Sequence, residues 1–209
     1  CATELERLGR ETIVFERDKE VGEPVECAGL FNIDGLKKLG MKRGDFVLNE
    51  VRGARFISPS GKTAEIKGAE SKAYVVGRKE FDQHLADKYN GELKLKTEIN
   101  SIKEKKGKYY FPVPGDPIEA DNVVIATGYK QELHDAVGLK GPKEYIATTQ
   151  YDIRGMDIDP EFVEIYFGSV APGFFAWVLP TDENDARVGL GTMWSDNTVH
   201  KHMLALLQR

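Results

Sequence analysis

The sequence is poor in cysteine, in excess charge and in long apolar runs, and each shortage excludes a class of protein. Two cysteines among 209 residues are too few for a disulfide framework, so we expect a reducing, cytoplasmic setting. A formal net charge of −5 argues against a nucleic-acid-binding surface. No apolar run approaches the roughly 18 residues of a membrane span. The cysteines and histidines show no metal-ligand spacing, so we predict no metal site.

Both ends of the sequence indicate elements that continue beyond it. Residues 2–9 (ATELERLG) are typical of the last turns of a helix, and no capping residue precedes them. Residues 12–16 (TIVFE) are rich in β-branched and aromatic side chains and predict a short strand. A loop rich in glycine and proline follows over residues 21–29. We therefore expect the chain to begin inside a βαβ unit.

The middle of the chain predicts a hairpin and a helix. Apolar and polar residues alternate over 51–58 and 62–67 about a Ser-Gly pair, which is the pattern of a hairpin. A strand over residues 74–76 leads into a predicted helix over 78–89. The apolar residues of that helix fall on one face: Phe81, Leu85 and Ala86.

The second half predicts mostly strands. Residues 93–113 indicate two or three strands joined by a charged KEKKG turn. The apolar run over 122–126 (NVVIA) predicts a strand buried on both faces of a parallel sheet. Three or four long strands follow over 144–192, and a helix is predicted to begin near Thr198. The whole pattern predicts a mixed α/β fold in which a Rossmann-like nucleotide-binding domain is interrupted by an antiparallel β-sheet domain.

The first sixteen residues match the second half of a dinucleotide-binding βαβ unit. Six positions fit its register: Ala2, Leu5, Gly9, Thr12, Val14 and Glu16. Gly9 would close the helix, and Glu16 at the strand end would hydrogen-bond the adenosine ribose. Counting back about 20 residues from Glu16 places the last glycine of the phosphate loop before Cys1. The alternative is an ordinary αβ unit with an amphipathic helix, a glycine and a strand.

A second cofactor-binding segment is predicted at residues 120–128 (ADNVVIATG). A strand ending in Ala-Thr-Gly recurs where flavoproteins turn the chain close to the cofactor. Gly128 would permit that approach because it has no side chain. The alternative is a buried strand followed by a simple glycine turn, but together with Glu16 the segment favours a flavin.

Three segments together resemble the geranylgeranyl reductase family of flavoproteins, which has the p-hydroxybenzoate hydroxylase type of fold. They are residues 24–29 (PVECAG), 76–82 (VGRKEFD) and 166–180 (YFGSVAPGFFAWVLP). The family usually shows Pro-x-x-Cys-Gly and Tyr-x-Trp-x-Phe-Pro, whereas this sequence has Cys-Ala-Gly and Phe-Ala-Trp-Val-Leu-Pro. The resemblance covers nearly the whole chain. It implies FAD as cofactor and a chain truncated at both ends, which stops before the family's later Gly-Asp segment.

The resemblance implies hydrogenation of isoprenoid C=C bonds by reduced FAD. An isolated alkene has no carbonyl to polarise, so a hydride equivalent must be matched by a proton delivered to the other carbon. The resemblance implies that Cys27 lies beside the isoalloxazine, where a thiol of pKa about 8.5, mostly protonated at neutral pH, would serve as the proton donor. The alternative is a small buried residue of the core, which free cysteines usually are. Its place in a Gly/Pro loop favours the functional interpretation.

Aromatic residues before Pro180 offer a surface for a prenyl chain. On one strand Phe175 and Trp177 would share a face and Phe174 would lie on the other, where it would fill the core. Arg78 corresponds to a family arginine near the cofactor. Because a cation at a helix N-terminus is unfavourable to the dipole, we expect an anion beside it, such as a flavin phosphate. The alternative for Arg78 is a solvated surface charge.

These arguments give a set of predicted site residues. The predicted catalytic residues are Cys27, Trp177 and Phe175. The predicted FAD-binding residues are Glu16, Arg17, Cys27, Ala28, Arg78, Ala126, Thr127 and Gly128. We assign residues 1–49 and 70–142 to the FAD-binding domain and residues 50–69 and 143–209 to the substrate domain.

Other functions remain open on the same sequence. An aromatic hydroxylase, a quinone-linked flavoprotein and a flavin-dependent halogenase share the fold, and the Trp-x-Trp-x-Ile-Pro segment of halogenases is similar to residues 175–180. A folded fragment or a nucleotide-binding module without activity is the alternative from another class. The expected partners are a prenyl lipid or another apolar small molecule and an unidentified electron donor, with a cytoplasmic location and peripheral contact with a membrane.

Overall fold

A computed structural model describes residues 1–113, 117–193 and 199–208 as a mixed α/β protein, which confirms the predicted fold class. Its helices are α1 (Ala2–Arg7), α2 (Ile33–Lys38), α3 (Arg78–Ala86), α4 (Glu132–Ala136) and α5 (Val199–Leu207). Its strands are β1 (Ile13–Phe15), β2 (Leu30–Asn32), β3 (Val47–Val51), β4 (Gly53–Ile57), β5 (Thr63–Lys67), β6 (Ala73–Val76), β7 (Glu92–Lys94), β8 (Lys103–Lys105), β9 (Lys108–Phe111), β10 (Ile118–Ala120), β11 (Ala147–Arg154), β12 (Phe162–Tyr166), β13 (Ala176–Pro180) and β14 (Asp185–Thr192).

The chain divides into two compact units. The first unit contains residues 1–23 and 85–144, and the second contains residues 24–84 and 145–209. These boundaries differ from the predicted domains, because residues 24–49 and 70–84 belong to the second unit. The pairing of β6 with β2 and β3 holds those two stretches together. Which residues belong to a cofactor-binding domain stays a prediction.

The second unit contains two sheets that share a core. A six-stranded sheet has the order β11-β14-β13-β12-β4-β5, and a three-stranded sheet has the order β2-β6-β3. The adjacent residues Val75 and Val76 of β6 are both fully buried. Val75 packs with residues of the six-stranded sheet, including Leu179, whereas Val76 packs with residues that include Phe81 of α3. Strand β6 therefore lies between two apolar layers.

Helix α5 covers the other face of the six-stranded sheet. Its buried Met203 packs on apolar residues that alternate along β13 and β14. They are Ala176, Val178, Ala186, Val188 and Leu190. The long strands predicted over 144–192 are thus confirmed, as is the helix that follows them. Its predicted start, Thr198, lies outside the described residues.

The predicted hairpin is confirmed as β4 and β5. Its turn contains Gly61 at a φ of 79°, a left-handed conformation that glycine adopts without strain. Strand β5 is an edge strand, and all five of its residues are exposed. The helix predicted after β6 is shorter than expected, since α3 ends at Ala86, and of its predicted apolar face Phe81 is buried but Leu85 is exposed.

The first unit contains two small sheets. Strands β1 and β7 pair in parallel, and β8, β9 and β10 form an antiparallel meander with a turn at Lys106 and Gly107. Gly9 follows α1 at a φ of 73° and donates its amide to Glu6 O, so it closes the helix as predicted. The core residues of this unit include Ile102 and Phe111.

The strand predicted over residues 122–126 is wrong for the described structure. These residues have no assigned secondary structure, and Val124 is 64% exposed rather than buried. A strand requires a neighbour for its backbone groups, and no strand in the described part of the chain pairs with this one. The apolar side chains of Val123 and Ile125 are only partly buried, against the core of the first unit.

An ion-pair cluster joins β4 to the turn before β12 in the second unit. Arg55 bonds Asp159 (Nη2 to Oδ2, 2.6 Å) and Glu65 (Nε to Oε2, 3.0 Å). Its guanidinium lies 4.2 Å from the centre of the Phe162 ring. Burial raises the pKa of Asp159, but the Glu161 amide and Arg55 lower it further, so the net pKa is below its ordinary value. The pKa of Arg55 is raised, chiefly by the bond to Glu65.

Asp159→Asn should destabilise the protein at neutral pH. Because the folded-state pKa of Asp159 is below the unfolded value of about 4, its contribution is complete above that value and is lost as the pH falls through the folded pKa. We expect a loss of about 1 kcal/mol or less at pH 7, since solvent screens this half-exposed pair. Urea unfolding at pH 7 and pH 3 measures it, with the exposed Asp121→Asn as control. An equal loss at both pH values would contradict the assignment.

Candidate functional site

The loop that carries Cys27 is fixed to the end of β6 by its backbone. Val76 N donates to Gly29 O at 2.8 Å, and Gly29 has a φ of 79°. A Cβ on Gly29 would come within 2.6 Å of Val76 O, so only glycine fits this position. The family glycine immediately after the cysteine is replaced by Ala28 here, but the glycine that the loop geometry requires is Gly29.

A buried arginine that the sequence did not reveal holds the same loop. The side chain of Arg187, on β14, is only 8% exposed. Its Nη1 donates to Ala28 O at 2.7 Å and to Val76 O at 3.3 Å, and its Nε donates to Asp152 Oδ1 at 3.0 Å. The one available signal was a charged residue within the apolar run 186–190, which does not indicate burial by itself.

Arg78 and Cys27 lie together in the second unit. Cys27 is exposed, so it is not a core residue, and it lies near enough to Arg78 to raise the pKa of that guanidinium. The expected anion beside Arg78 is Asp82, one turn along α3, whose two oxygens lie 2.9 and 3.0 Å from Arg78 Nη2. Burial lowers the pKa of Arg78, but Asp82 and Cys27 raise it, and the net pKa is above the ordinary value.

Arg78 also has a donor that nothing in the described structure accepts. Its side chain is 22% exposed, so it is not a freely solvated surface charge. The Nε atom is buried without a hydrogen-bond partner, and the guanidinium lies 5.6 Å from the centre of the Phe31 ring. A buried donor without an acceptor is costly, and a ligand oxygen is one group that would satisfy it.

Three aromatic rings cluster over two glycines of the six-stranded sheet. Phe174 and Phe175 stack with ring centres 4.2 Å apart, and Phe175 meets Trp177 edge-on at 6.0 Å. A Cβ on Gly189 would collide with the indole of Trp177, and one on Gly191 would lie 2.5 Å from Phe174. Gly189 and Gly191 were not among the predicted site residues. The sequence signal for them was a Gly-x-Gly within a strand. Two glycines at that spacing leave one face of the strand without side chains.

The predicted face of Phe174 is wrong. Gly189 and Gly191 lie two residues apart on β14, so they face the same side of the sheet. Because Trp177 packs on Gly189 and Phe174 packs on Gly191, these two aromatic side chains lie on the same face. The strand begins only at Ala176, since a turn in which Phe174 N donates to Ala171 O precedes it. The two-residue period therefore does not apply to Phe174.

Trp177 is partly buried in the layer between the two sheets of the second unit. It packs against a cluster that includes Val75 and Leu179. Its indole Nε1 is buried and has no hydrogen-bond partner among the described residues. Buried indole N–H groups usually find an acceptor, so this one is available to a ligand.

In the first unit, Glu16 directly follows β1. Its backbone continues the pairing with the β7 strand, since Glu16 N donates to Lys94 O at 2.9 Å and Thr97 N donates to Glu16 O at 2.8 Å. Its carboxylate Oε1 accepts from Asp18 N at 2.9 Å. The neighbouring Arg17 is paired with Asp18 at 3.3 Å. The carboxylate is therefore held at the carboxyl end of a parallel strand, as the fingerprint predicts.

The segment Ala126, Thr127 and Gly128 also lies in the first unit, and all three residues are exposed. Thr127 Oγ1 donates to Lys130 O at 3.1 Å, a bond within its own turn. Gly128 has a φ of 64°, but a Cβ there would meet nothing within 4 Å. Its backbone conformation, rather than crowding, requires glycine in this structure.

Comparison with known proteins assigns the chain to a family. Residues 144–209 match the geranylgeranyl reductase catalytic domain. A digeranylgeranylglycerophospholipid reductase of Thermoplasma volcanium is 31% identical over 223 residues, which cover 94% of this chain and 54% of the relative. The chain belongs to the geranylgeranyl reductase family. It spans about half the length of the curated relatives that it matches.

One solved structure agrees with the geranylgeranyl reductase assignment, and a second shares the fold. A geranylgeranyl bacteriochlorophyll reductase-like protein from Thermoplasma acidophilum has a TM-score of 0.91 at 25% identity, covering 99% of this chain and 57% of that one. Halogenase PltM, solved with phloroglucinol and FAD, has a TM-score of 0.74 over 99% of this chain and 52% of its own. At 11% identity the halogenase shares the fold alone.

Gly189→Ala should displace Trp177 in this geranylgeranyl reductase-family chain. The new Cβ would overlap the indole, and overpacking of this kind costs about 1–3 kcal/mol. In a Trp194→Phe background, Trp177 is the only tryptophan. We expect its fluorescence to shift to the red and the free energy of unfolding to fall. Gly35→Ala is the control, because its Cβ makes ordinary contacts starting at 3.6 Å. Unchanged fluorescence in Gly189→Ala would contradict the packing.

Proposed function

We propose that this chain is part of an FAD-dependent oxidoreductase that reduces isoprenoid C=C bonds of a geranylgeranyl lipid or a related prenyl group. The observation that carries the proposal is the loop in which Cys27 lies exposed beside Arg78, in a chain of the geranylgeranyl reductase family. Residues 1–49 and 70–142 are assigned to FAD binding and residues 50–69 and 143–209 to the substrate.

Three observations, each made within one unit, support the binding of a flavin dinucleotide. The Glu16 carboxylate is held at the carboxyl end of β1, where the ribose of a dinucleotide is bound in related folds. Arg78 has a buried donor without an acceptor, which suits a polar group of the cofactor. Ala28 O and Val76 O are held by Arg187, so the loop after Cys27 presents a fixed backbone. The remaining proposed contacts are Arg17 and the exposed segment Ala126, Thr127 and Gly128.

Cys27 would deliver the proton that alkene reduction requires. Reduced FAD supplies the hydride equivalent when it is bound. The thiol is exposed, so a substrate carbon could approach it, and the adjacent Arg78 would stabilise the negative charge left on sulfur after proton transfer. Asp82 holds Arg78 in place through two close contacts. Cys27 is thus assigned as general acid and Arg78 as the group that supports it.

Phe175 and Trp177 would contact the prenyl chain. Both belong to the aromatic cluster, in which the Trp177 indole packs directly on Gly189 because that residue has no side chain. An aromatic surface binds an alkene chain through dispersion and excludes water, which an isolated C=C bond requires for productive approach. The orphan Trp177 Nε1 would serve a polar atom of the lipid or the cofactor.

The proposed partners follow from this substrate. A lipid must be taken from a membrane surface, so we assign the protein to the cytoplasm with peripheral membrane contact. Among the described residues, no helix combines the length and the apolar character that crossing a membrane would require. The electron donor is proposed to be a separate reductant, since no second nucleotide-binding pattern occurs in the sequence.

Reoxidation by a lipid tests the proposed function directly. We expect the full-length protein of which this chain is part to take up FAD, to lose its visible flavin absorption on anaerobic reduction, and to regain it when a geranylgeranyl lipid is added. The fully saturated phytanyl analogue, which has no C=C bond, is the control and should not restore the absorption. Protein that takes up no FAD would overturn the oxidoreductase assignment and favour a binding module.

Cys27→Ala tests the proton donor. We expect alkene reduction to fall about a hundredfold, the lower range for loss of a general acid, while FAD uptake is retained. Cys1→Ser is a matched control, because Cys1 is the other exposed cysteine, and it should react at the unaltered rate. Lipid reduction by Cys27→Ala at the unaltered rate would remove the role.

A further inference from the structure

Arg187 bonds two segments that the chain brings together from distant positions. One Nη1 atom donates to Ala28 O at 2.7 Å and to Val76 O at 3.3 Å. Ala28 directly follows Cys27, and Val76 lies two residues before Arg78. The same donor therefore holds the loop that carries the thiol and the strand end that carries the guanidinium.

The surroundings of Arg187 indicate that its buried charge serves to bond these two carbonyls. Its side chain is almost fully buried, yet its anionic partner Asp152 is 73% exposed. Removing a guanidinium from water is costly, and a single solvent-exposed carboxylate offsets little of that cost. Nothing in the strand pattern requires a charge here, since the neighbouring Ala186 and Val188 are apolar core residues. The bonds that remain are those to the two backbone segments.

We propose that Arg187 is a positioning residue that sets the distance between the Cys27 thiol and the Arg78 guanidinium. The planar guanidinium offers several donors in a fixed geometry, so it can bond both carbonyls and Asp152 together. Val76 N closes the arrangement by donating to Gly29 O at 2.8 Å. The positioning is a property of the fold; its effect on reduction rests on the function proposed above.

Amide exchange of the intact protein tests the positioning without any activity. Arg187→Met keeps the length of the apolar stem and removes every donor. We expect exchange of the Val76 amide to accelerate at least about tenfold through local opening. The internal reference is the amide of Gly191, which lies on β14 with Arg187 and donates to Phe175 O at 3.1 Å. Its exchange rate should be unchanged.

Arg55→Met is the matched control variant. Arg55 is an ion-paired arginine of the same six-stranded sheet, and its partners are Asp159 and Glu65 rather than the Cys27 loop. It should leave the Val76 amide unaltered. If Arg187→Met does not fold, Arg187→Lys replaces it, since one ammonium lacks the planar fork. An unaltered Val76 amide, or equal acceleration at Val76 and Gly191, would overturn the proposal.

Kinetics then separate the positioning from the proposed reaction. We expect Arg187→Met to lower kcat about tenfold or more with KM unchanged, because misplacing a reacting group slows the chemical step. In a Cys27→Ala background the same substitution should have no further effect on kcat, since Arg187 acts through Cys27. Additive losses would overturn that link. If no variant, including the unaltered protein, reduces lipid while the exchange result holds, the proposed function fails and the positioning stands.

Discussion

The second unit depends on one buried cation. Arg187 lies on a strand whose other side chains form the core beneath α5, and it reaches across to the carbonyls of Ala28 and Val76. Strand β6 is consequently held against the six-stranded sheet by a polar bond as well as by the apolar packing of Val75. Because the Arg187 guanidinium is buried, water cannot replace the two carbonyls. Separating them from it therefore carries a large free-energy penalty. The positions of the Cys27 loop, the end of β6 and the start of α3 follow from that constraint.

The chemistry of the site results from placing unlike groups on this fixed backbone. Cys27 is a polarisable, ionisable group in contact with a permanent cation, and Arg78 is itself fixed by Asp82. The aromatic cluster belongs to the sheet and owes its position to missing side chains at Gly189 and Gly191. Hydrogen bonds thus fix the part of the second unit that contains Cys27 and Arg78, whereas close packing against glycines fixes the part that contains the aromatic cluster. Strand β14 contributes to both parts, because it carries Arg187 and the two glycines.

Sequence reasoning succeeded where the signal was local and failed where it was not. The hairpin of β4 and β5, the long strands after residue 144 and the helix closure at Gly9 depend on side-chain period and glycine conformation, which neighbouring residues determine. The contact of Arg187 with Ala28 joins residues 159 positions apart, and no pattern along the chain encodes it. Residues 122–126 failed for the related reason that a strand needs a partner. Phe174 failed because its turn interrupts the strand period, while Cys27 and Arg78 were recognised through motifs rather than through their contact.

The edge strand β5 has a consequence for the behaviour of the protein in concentrated solution. An edge presents unpaired backbone donors and acceptors, and it invites another chain to add a strand and begin aggregation. The apolar residue on this edge, Ile66, is 67% exposed, but it stands between Glu65 and Lys67. A second copy docking there would crowd and dehydrate the charged groups of Glu65 and Lys67, which already pair with Arg55 and Glu161. The flanking charges remain hydrated most favourably when the edge is alone, so they act as gatekeepers that keep the hairpin from polymerising.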